Sequence, residues 1–72
     1  MRKEIIILRE KIRQAFAELT PREQKILTMR FGLNDGILRT LEQVGQEFGI
    51  TRERVRQAQA RALEKVRNYE KR

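Results

Sequence analysis

The side chains with the most specific chemistry lie in the segment TRERVRQ, residues 51–57, in which three arginines surround one glutamate. An arginine guanidinium can donate two parallel hydrogen bonds to guanine O6 and N7, whereas a carboxylate can accept one from the cytosine amino group. A segment that only coats phosphates would gain nothing from a carboxylate, because like charges repel. The pattern therefore predicts contact with base edges by Arg52, Glu53, Arg56 and Gln57.

Two other interpretations of Glu53 remain open. The dipole of a helix favours an acidic side chain in its first turn, and the same carboxylate can pair with Gln57 or with nearby arginines. Arg61, Lys65 and Arg67 lie further along the segment. For these three residues, solvation or phosphate contact is favoured over contact with bases.

A helix-turn-helix is the element that the pattern predicts for positioning these side chains. Gly45 is small enough for two helices to cross closely, and Gly49 suits the turn between them. A helical wheel at about 100° per residue separates an inward apolar set from outward polar residues in the second helix. The inward set is Val55, Ala58, Ala62, Val66 and Tyr69. The N-terminal part of such a second helix enters the major groove, and Arg52 to Gln57 lie there.

Periodicity and capping signals predict two more helices before this motif. An N-terminal helix over residues 1–19 carries one apolar stripe, formed by Ile5, Leu8, Ile12, Phe16 and Leu19. A second helix over residues 20–32 begins with a Thr-x-x-Glu capping box and a proline at its first position. The segment LNDG, residues 33–36, is a turn signal because Asn, Asp and Gly tolerate left-handed backbone.

Further caps complete the predicted architecture. Thr40 with Gln43 forms another capping box, and Thr51 caps the last helix, so that the motif spans residues 40–69. Almost no alternating β pattern is present. We therefore predict a single all-α domain over residues 1–72, with four helices and a C-terminal helix-turn-helix.

The charge indicates a polyanionic partner. Seventeen basic residues against ten acidic ones give a net charge of +7 and a pI near 10.8. Residues 51–72 alone hold eight basic and three acidic side chains. An excess of positive charge gathered on one element is typical of nucleic-acid binding.

The composition argues against other classes of function. The chain has no cysteine and no histidine, which excludes a disulfide framework and the usual zinc sites, and no acid–base pair or nucleophile is apparent. We expect neither catalysis nor a cofactor. No apolar run approaches the ~20 residues of a membrane span, and the N-terminal run ends at Leu8, too early for a secretory signal. We expect a cytoplasmic protein with no membrane partner.

Three segments resemble a known family. LTPREQKILTMRFGL, TLEQVGQEFGITRERVRQ and ALEKVR, in that order and spacing, resemble the C-terminal domain, region 4, of primary or housekeeping-type bacterial RNA polymerase sigma factors. The resemblance covers residues 19–67. LTPRE alone is not specific, since LuxR-type regulators open similarly, but they lack the other motifs.

The resemblance implies a sigma region 4 fold, which is winged-helix-like, and recognition of the promoter −35 element of TTGACA type within RNA polymerase holoenzyme. It assigns base contacts to Arg52, Glu53, Arg56 and Gln57. It places backbone or near-backbone contacts at Arg22, Arg30, Thr40, Leu41, Glu42, Thr51 and Arg54. It implies docking on the flap of the polymerase β subunit through Ile26, Leu27, Met29 and Phe31. Arg61 and Glu64 fall at activator-contact positions, and anti-sigma or activator proteins are further partners.

The sequence departs from the family pattern after TRERVRQ. Ala58 stands where the family has a larger apolar residue, and Gln59 stands where it has an acid. Glu64 replaces an arginine that commonly meets upstream activators, which changes the expected activator partners and leaves −35 recognition untouched.

Two rival interpretations remain. A stand-alone helix-turn-helix regulator, dimeric through the IIIL segment, would bind a palindromic site without polymerase, and its self-association would distinguish it. A protein-interaction module with basic residues only for solubility would be indifferent to changes at Arg52 or Glu53. A helix lying on a membrane surface is the weakest rival, because the apolar stripe of the last helix is narrow and rich in alanine.

Overall fold

The computed structural model describes residues 2–72, which form four α-helices, one short 3-10 turn and no strand. The helices are α1 (Lys3–Gln14), α2 (Pro21–Phe31), α3 (Leu41–Phe48) and α4 (Arg52–Glu70), and the 3-10 turn spans Phe16–Glu18. The prediction of an all-α, four-helix fold with a C-terminal helix-turn-helix is confirmed. Since residues 2–72 contain no strand, no β-hairpin wing accompanies the motif.

The predicted threonine caps begin three of the helices. The Thr20 hydroxyl accepts from the backbone N–H of Glu23 at 3.1 Å, and the Glu23 carboxylate accepts from the Thr20 N–H at 2.8 Å. Thr40 and Gln43 make the same reciprocal pair at 3.0 and 2.9 Å. Thr51 caps α4 in turn. These bonds satisfy backbone donors that have no partner inside the helix, and they fix where each helix starts.

The first helix is shorter than predicted. Helix α1 ends at Gln14, and the chain continues through Ala15 into the 3-10 turn instead of running as α-helix to Leu19. Leu19 and Thr20 are both extended. Thr20 is the N-cap of α2, and an N-cap residue needs non-helical backbone. The tighter turn lets the chain change direction within a few residues while Leu19 still reaches the core.

Two apolar clusters form the core, and they share two helices. One cluster joins α1, α2 and α4, and its buried members are Ile12, Ala15, Leu19, Leu27, Ala62 and Val66. The other joins α2, α3 and α4 through Ile26, Val44 and Val55. Consecutive residues of α2 therefore face different clusters. Because α4 also packs in both, its orientation is fixed along most of its length.

The helix-turn-helix depends on a close approach at Gly45. A Cβ atom at this position would lie 2.6 Å from the carbonyl oxygen of Ile50. The backbone N–H of Ile50 also donates to the Gly45 carbonyl at 2.9 Å. Gly49 provides the left-handed residue of the turn, with φ at 68°. The helix and the turn after it thus meet through backbone atoms alone.

The α2–α3 connection is held by its own side chains. The Asp35 carboxylate accepts from the Ile37 backbone N–H at 2.9 Å and from the Arg39 guanidinium at 2.8 Å. The Arg39 hydrogen bond, with the Ile37 N–H, lowers the pKa of Asp35 to about 2. These hydrogen bonds hold residues 35–39 in a compact conformation, called the Asp35 clip below, which ends directly before Thr40.

We expect the change Gly45→Ala to destabilise the fold by about 1–3 kcal/mol, because overpacking forces the Ile50 carbonyl to move. The measurement is urea unfolding followed by circular dichroism. Gln46→Ala, at an exposed position on the same helix, is the control and should be nearly neutral. Equal stability of the two variants would contradict a close approach of Gly45 to the Ile50 carbonyl.

The only aspartate of the chain allows its ionisation to be followed without ambiguity. We expect the carboxyl carbon of Asp35 to titrate with a midpoint of about 2, below the ordinary 3.8. Since the folded pKa is depressed, the stabilisation that Asp35 provides is present above pH 3.8 and is lost as the pH falls through about 2. NMR of aspartate-labelled protein measures the midpoint while amide signals report the folded state. Arg39→Gln should move the midpoint back toward 3.8, and a midpoint of 3.8 in the unaltered chain would contradict the Asp35 clip.

Candidate nucleic-acid interface

The four predicted base-contact side chains lie together on one exposed surface. Arg52, Glu53, Arg56 and Gln57 occupy the first two turns of α4, and all four are exposed. Val55 points the opposite way and has no exposed surface. The alternation follows from the helical period, because burial of Val55 turns its polar neighbours toward solvent.

Glu53 and Arg56 form a bidentate ion pair in the free protein. Arg56 Nε and Nη2 donate to the two Glu53 carboxylate oxygens at 2.9 and 2.6 Å, and Gln57 Nε2 donates to one of them at 3.3 Å. The Arg56 hydrogen bonds, with smaller contributions from Gln57 and Arg52, hold the pKa of Glu53 below its ordinary value. The pairing interpretation of Glu53 is thus observed in the unbound chain. Its base-contact role stays a prediction.

A groove connects these side chains to the start of α3. It has a volume of about 360 Å³ and is lined by Thr40, Leu41, Glu42, Arg52, Glu53 and Arg56. Three predicted base-contact residues therefore adjoin three predicted backbone-contact residues. The N–H groups of Leu41 and Glu42 in the first turn of α3 have no partner inside the helix and suit an anion, whereas that of Gln43 is bonded to Thr40.

A second groove lies between the starts of α2 and α4. It has a volume of about 260 Å³ and is lined by Thr20, Arg22, Glu23, Arg54, Gln57, Ala58 and Arg61. Arg22, Arg54 and Arg61 are exposed and give this groove a positive rim. Two of them were predicted as backbone contacts. Arg61, assigned to activators by the resemblance, shares the groove with both.

Arg30 is engaged inside the protein. Its Nε donates to Gln59 Oε1 at 2.8 Å, and its Nη1 donates to the Arg39 carbonyl. Burial lowers the pKa of the Arg30 guanidinium, which remains protonated at neutral pH. Sequence reasoning missed Gln59 as a partner. The available signal was its spacing of four residues from Val55, which places it on the inward side of α4.

Lys65 also has an internal partner that the sequence did not reveal. Its Nζ donates to Glu23 Oε1 at 2.8 Å, across 42 residues of sequence. Burial would raise the pKa of Glu23, but the hydrogen bonds from Lys65 and Thr20 outweigh it and hold the pKa below its ordinary value. Lys65 therefore links α4 to the start of α2, and its side chain is still 42% exposed, so that solvation or phosphate contact stays a prediction.

The predicted docking surface on α2 requires a correction. Ile26 and Leu27 have no exposed surface, because each fills one of the two core clusters. Neither side chain can contact a partner of the folded domain directly. Met29 and Phe31 are half-buried and remain accessible in part, and Glu64 is exposed on α4.

Within residues 2–72 no group of acidic, histidine or cysteine side chains is arranged to hold a metal ion. A search of the same residues for a helix of sufficient length and apolarity to cross a membrane finds none.

Comparison with known proteins identifies one family. Residues 15–68 match the family model described as Sigma-70, region 4. The chain is similar to RNA polymerase sigma factor SigA of Clostridium acetobutylicum, with 55% identity over 62 residues, 86% of this chain and 16% of that protein. It is similar to RNA polymerase sigma factor SigA of Lactococcus lactis subsp. cremoris, with 51% identity over 63 residues, 88% of this chain and 17% of that protein. The chain spans about a sixth of the length of these curated relatives.

Proposed function

The chain belongs to the sigma-70 region 4 family, and on that premise we propose that it recognises the promoter −35 element, of TTGACA type, as part of a sigma factor in RNA polymerase holoenzyme. Sigma factor domains of this family bind DNA and are not enzymes. The observation that carries the proposal is the exposed Glu53–Arg56 pair, which lines the groove between α4 and the start of α3. The family assignment favours this role over a stand-alone helix-turn-helix regulator. The proposed setting is the bacterial cytoplasm, where the promoter DNA is.

In the proposed complex, the first turns of α4 enter the major groove. Arg56 uses Nε and one N–H of Nη2 to hold Glu53, which leaves a parallel pair of N–H groups, one on Nη1 and one on Nη2, for a guanine. The carboxylate oxygens of Glu53 keep lone pairs that can accept from a cytosine amino group. The ion pair therefore supports base contact, because it holds a donor and an acceptor side by side before DNA arrives.

Phosphates flank α4 on both sides in this proposal. Arg22 and Arg54 meet one strand from the positive groove. Thr40, Leu41, Glu42 and Thr51 meet the other strand at helix starts. For Glu42 the contact is made by the backbone N–H, since its carboxylate would be repelled. Any phosphate contact by Arg30 uses Nη2 or the second N–H of Nη1, which are not engaged by the bonds to Gln59 and Arg39.

Protein partners belong to the same proposal. Met29 and Phe31, which are half-buried, are the accessible part of the surface proposed to dock on the polymerase β-flap. Arg61 and Glu64 are proposed contacts for activators, and anti-sigma proteins are candidate partners.

The proposal is tested by fluorescence anisotropy of the chain on a TTGACA duplex and on a scrambled duplex. We expect tighter binding to TTGACA, with a preference that survives an increase from about 50 mM to about 200 mM salt. Equal and steeply salt-dependent binding to both duplexes would indicate phosphate contact alone and would contradict sequence recognition.

We expect Glu53→Ala to relax the preference at one cytosine. The ratio of dissociation constants between the cognate duplex and one substituted at that cytosine should fall by about fivefold to a hundredfold. Glu4→Ala, which removes the same charge from the first turn of α1, is the matched control and should keep the ratio. An unchanged base preference in Glu53→Ala would rule out its base-contact role.

We expect Arg22→Ala and Arg54→Ala to weaken binding to both duplexes alike. Each should reduce the slope of log affinity against log salt by about 1, because one phosphate contact is lost. Lys25→Ala removes the same charge from α2 outside both DNA-facing grooves and serves as the control. A slope that responds equally to Lys25→Ala would mean that net charge, rather than the positive groove, sets the effect.

A further inference from the structure

One side chain of α2 contacts both halves of the helix-turn-helix. The Arg30 guanidinium reaches α4 through Gln59 Oε1 at 2.8 Å and reaches the entry to α3 through the Arg39 carbonyl. The contact at Arg39 is two-sided, because the Arg39 backbone N–H donates to the Arg30 carbonyl at 3.3 Å. Arg39 directly precedes Thr40, the N-cap of α3.

The chemistry of this junction suits a rigid connection. A guanidinium is planar, so two acceptors bonded to different nitrogens are held in fixed relative positions. The group lies 5.4 Å from the centre of the Phe31 ring, which limits its freedom further. Arg30 is also partly withdrawn from water, and hydrogen bonds that involve a charged group there are the strong ones.

The two contacts join the elements that line the DNA-facing groove. The start of α3 supplies Thr40 to Glu42, and α4 supplies Arg52 and Arg56. The core holds these helices at Val44 and Val55. Ala62 and Val66 hold the later part of α4 in the other cluster, but no residue of α3 belongs to that cluster. Gln59 lies one turn beyond Val55, so the Arg30 bridge adds a further link between α4 and the entry to α3.

We infer that Arg30 and Gln59 are positioning residues for sequence recognition, setting the orientation of α4 relative to the start of α3. The inference rests on the proposed function. It differs from a phosphate role for Arg30, because it assigns a function to Gln59, which is uncharged and half-buried.

The test uses variants that leave the charge of Arg30 in place. Gln59→Met keeps the length of the side chain and the helix propensity but removes the acceptor. Gln59→Glu keeps an acceptor for Arg30, and Gln14→Met at an exposed position of α1 is the matched control. Arg30→Lys keeps the charge but replaces the two-pronged group by a point charge.

Two measurements are made on each variant at a temperature below the midpoint of its thermal unfolding. Residual dipolar couplings in the absence of DNA give the orientation of α4 relative to α3. Anisotropy gives the ratio of dissociation constants for the TTGACA and scrambled duplexes. We expect Gln59→Met and Arg30→Lys to change the orientation and to lower the ratio by about threefold to tenfold. The salt slope should not change in Gln59→Met, and Gln59→Glu and Gln14→Met should keep the orientation and the ratio.

The outcomes separate this inference from the proposed function. If the unaltered chain shows no preference for TTGACA, the proposed function fails, and the orientation measurement alone decides the positioning role. If Gln59→Met and Arg30→Lys keep the orientation and the preference of the unaltered chain, the inference is overturned. A loss in Arg30→Lys alone, with an altered salt slope, would identify a phosphate contact and would also overturn it.

Discussion

The close approach of Gly45 to the Ile50 carbonyl is the constraint on which the surface of α4 depends. With no side chain between them, α3 and the turn after it meet at backbone distance, and Val44 and Val55 can then share one cluster with Ile26. Burial of Val55 in turn directs Arg52, Glu53 and Arg56 outward. The absence of a Cβ atom at Gly45 therefore affects the direction of side chains about two helical turns later in the chain.

The same helix must tolerate a strong excess of positive charge. Two carboxylates reduce the repulsion at different points: Glu53 bonds Arg56 at the start of α4, and Glu23 bonds Lys65 in the middle. The first pair is fully exposed and the second is partly buried, so solvent screens them unequally. Arg22, Arg54 and Arg61 take no part in these pairs. They are the exposed cations of the groove between the starts of α2 and α4.

Much of the fold could be predicted because its signals are local. A threonine with Glu or Gln three residues later, and a glycine at a helix end, act over one turn, and the structure contains each of these devices as predicted. The end of α1 was missed because residues 15–18 have good helix formers, and only the requirement that Leu19 reach the core and Thr20 be extended ends the helix. Tertiary packing overrode propensity there.

In the candidate site, too, the features set by local signals could be predicted and those set by distant contacts could not. The outward direction of Arg52, Glu53, Arg56 and Gln57 follows from the period of one helix. The partners of Arg30 and Lys65 lie 29 and 42 residues away in sequence, and a local pattern indicates at most that Gln59 faces inward, without identifying its partner. The burial of Ile26 and Leu27 escaped prediction because consecutive residues of α2 enter two clusters, which a single apolar stripe does not reveal.

The division of the core has a consequence for how the domain opens. Since α1 contributes to one cluster only, its detachment exposes that cluster and leaves α2, α3 and α4 packed around Ile26, Val44 and Val55. Detachment of α2 or α4 breaks both clusters at once. Partial unfolding should therefore begin at α1 or α3, each of which packs in one cluster only, and the amide hydrogens of α2 and α4 should exchange with solvent last, through the global transition. Of the proposed DNA-binding surface, the part on α4 is therefore carried by a helix that opens only with the whole domain, whereas the part at the start of α3 can open with one cluster.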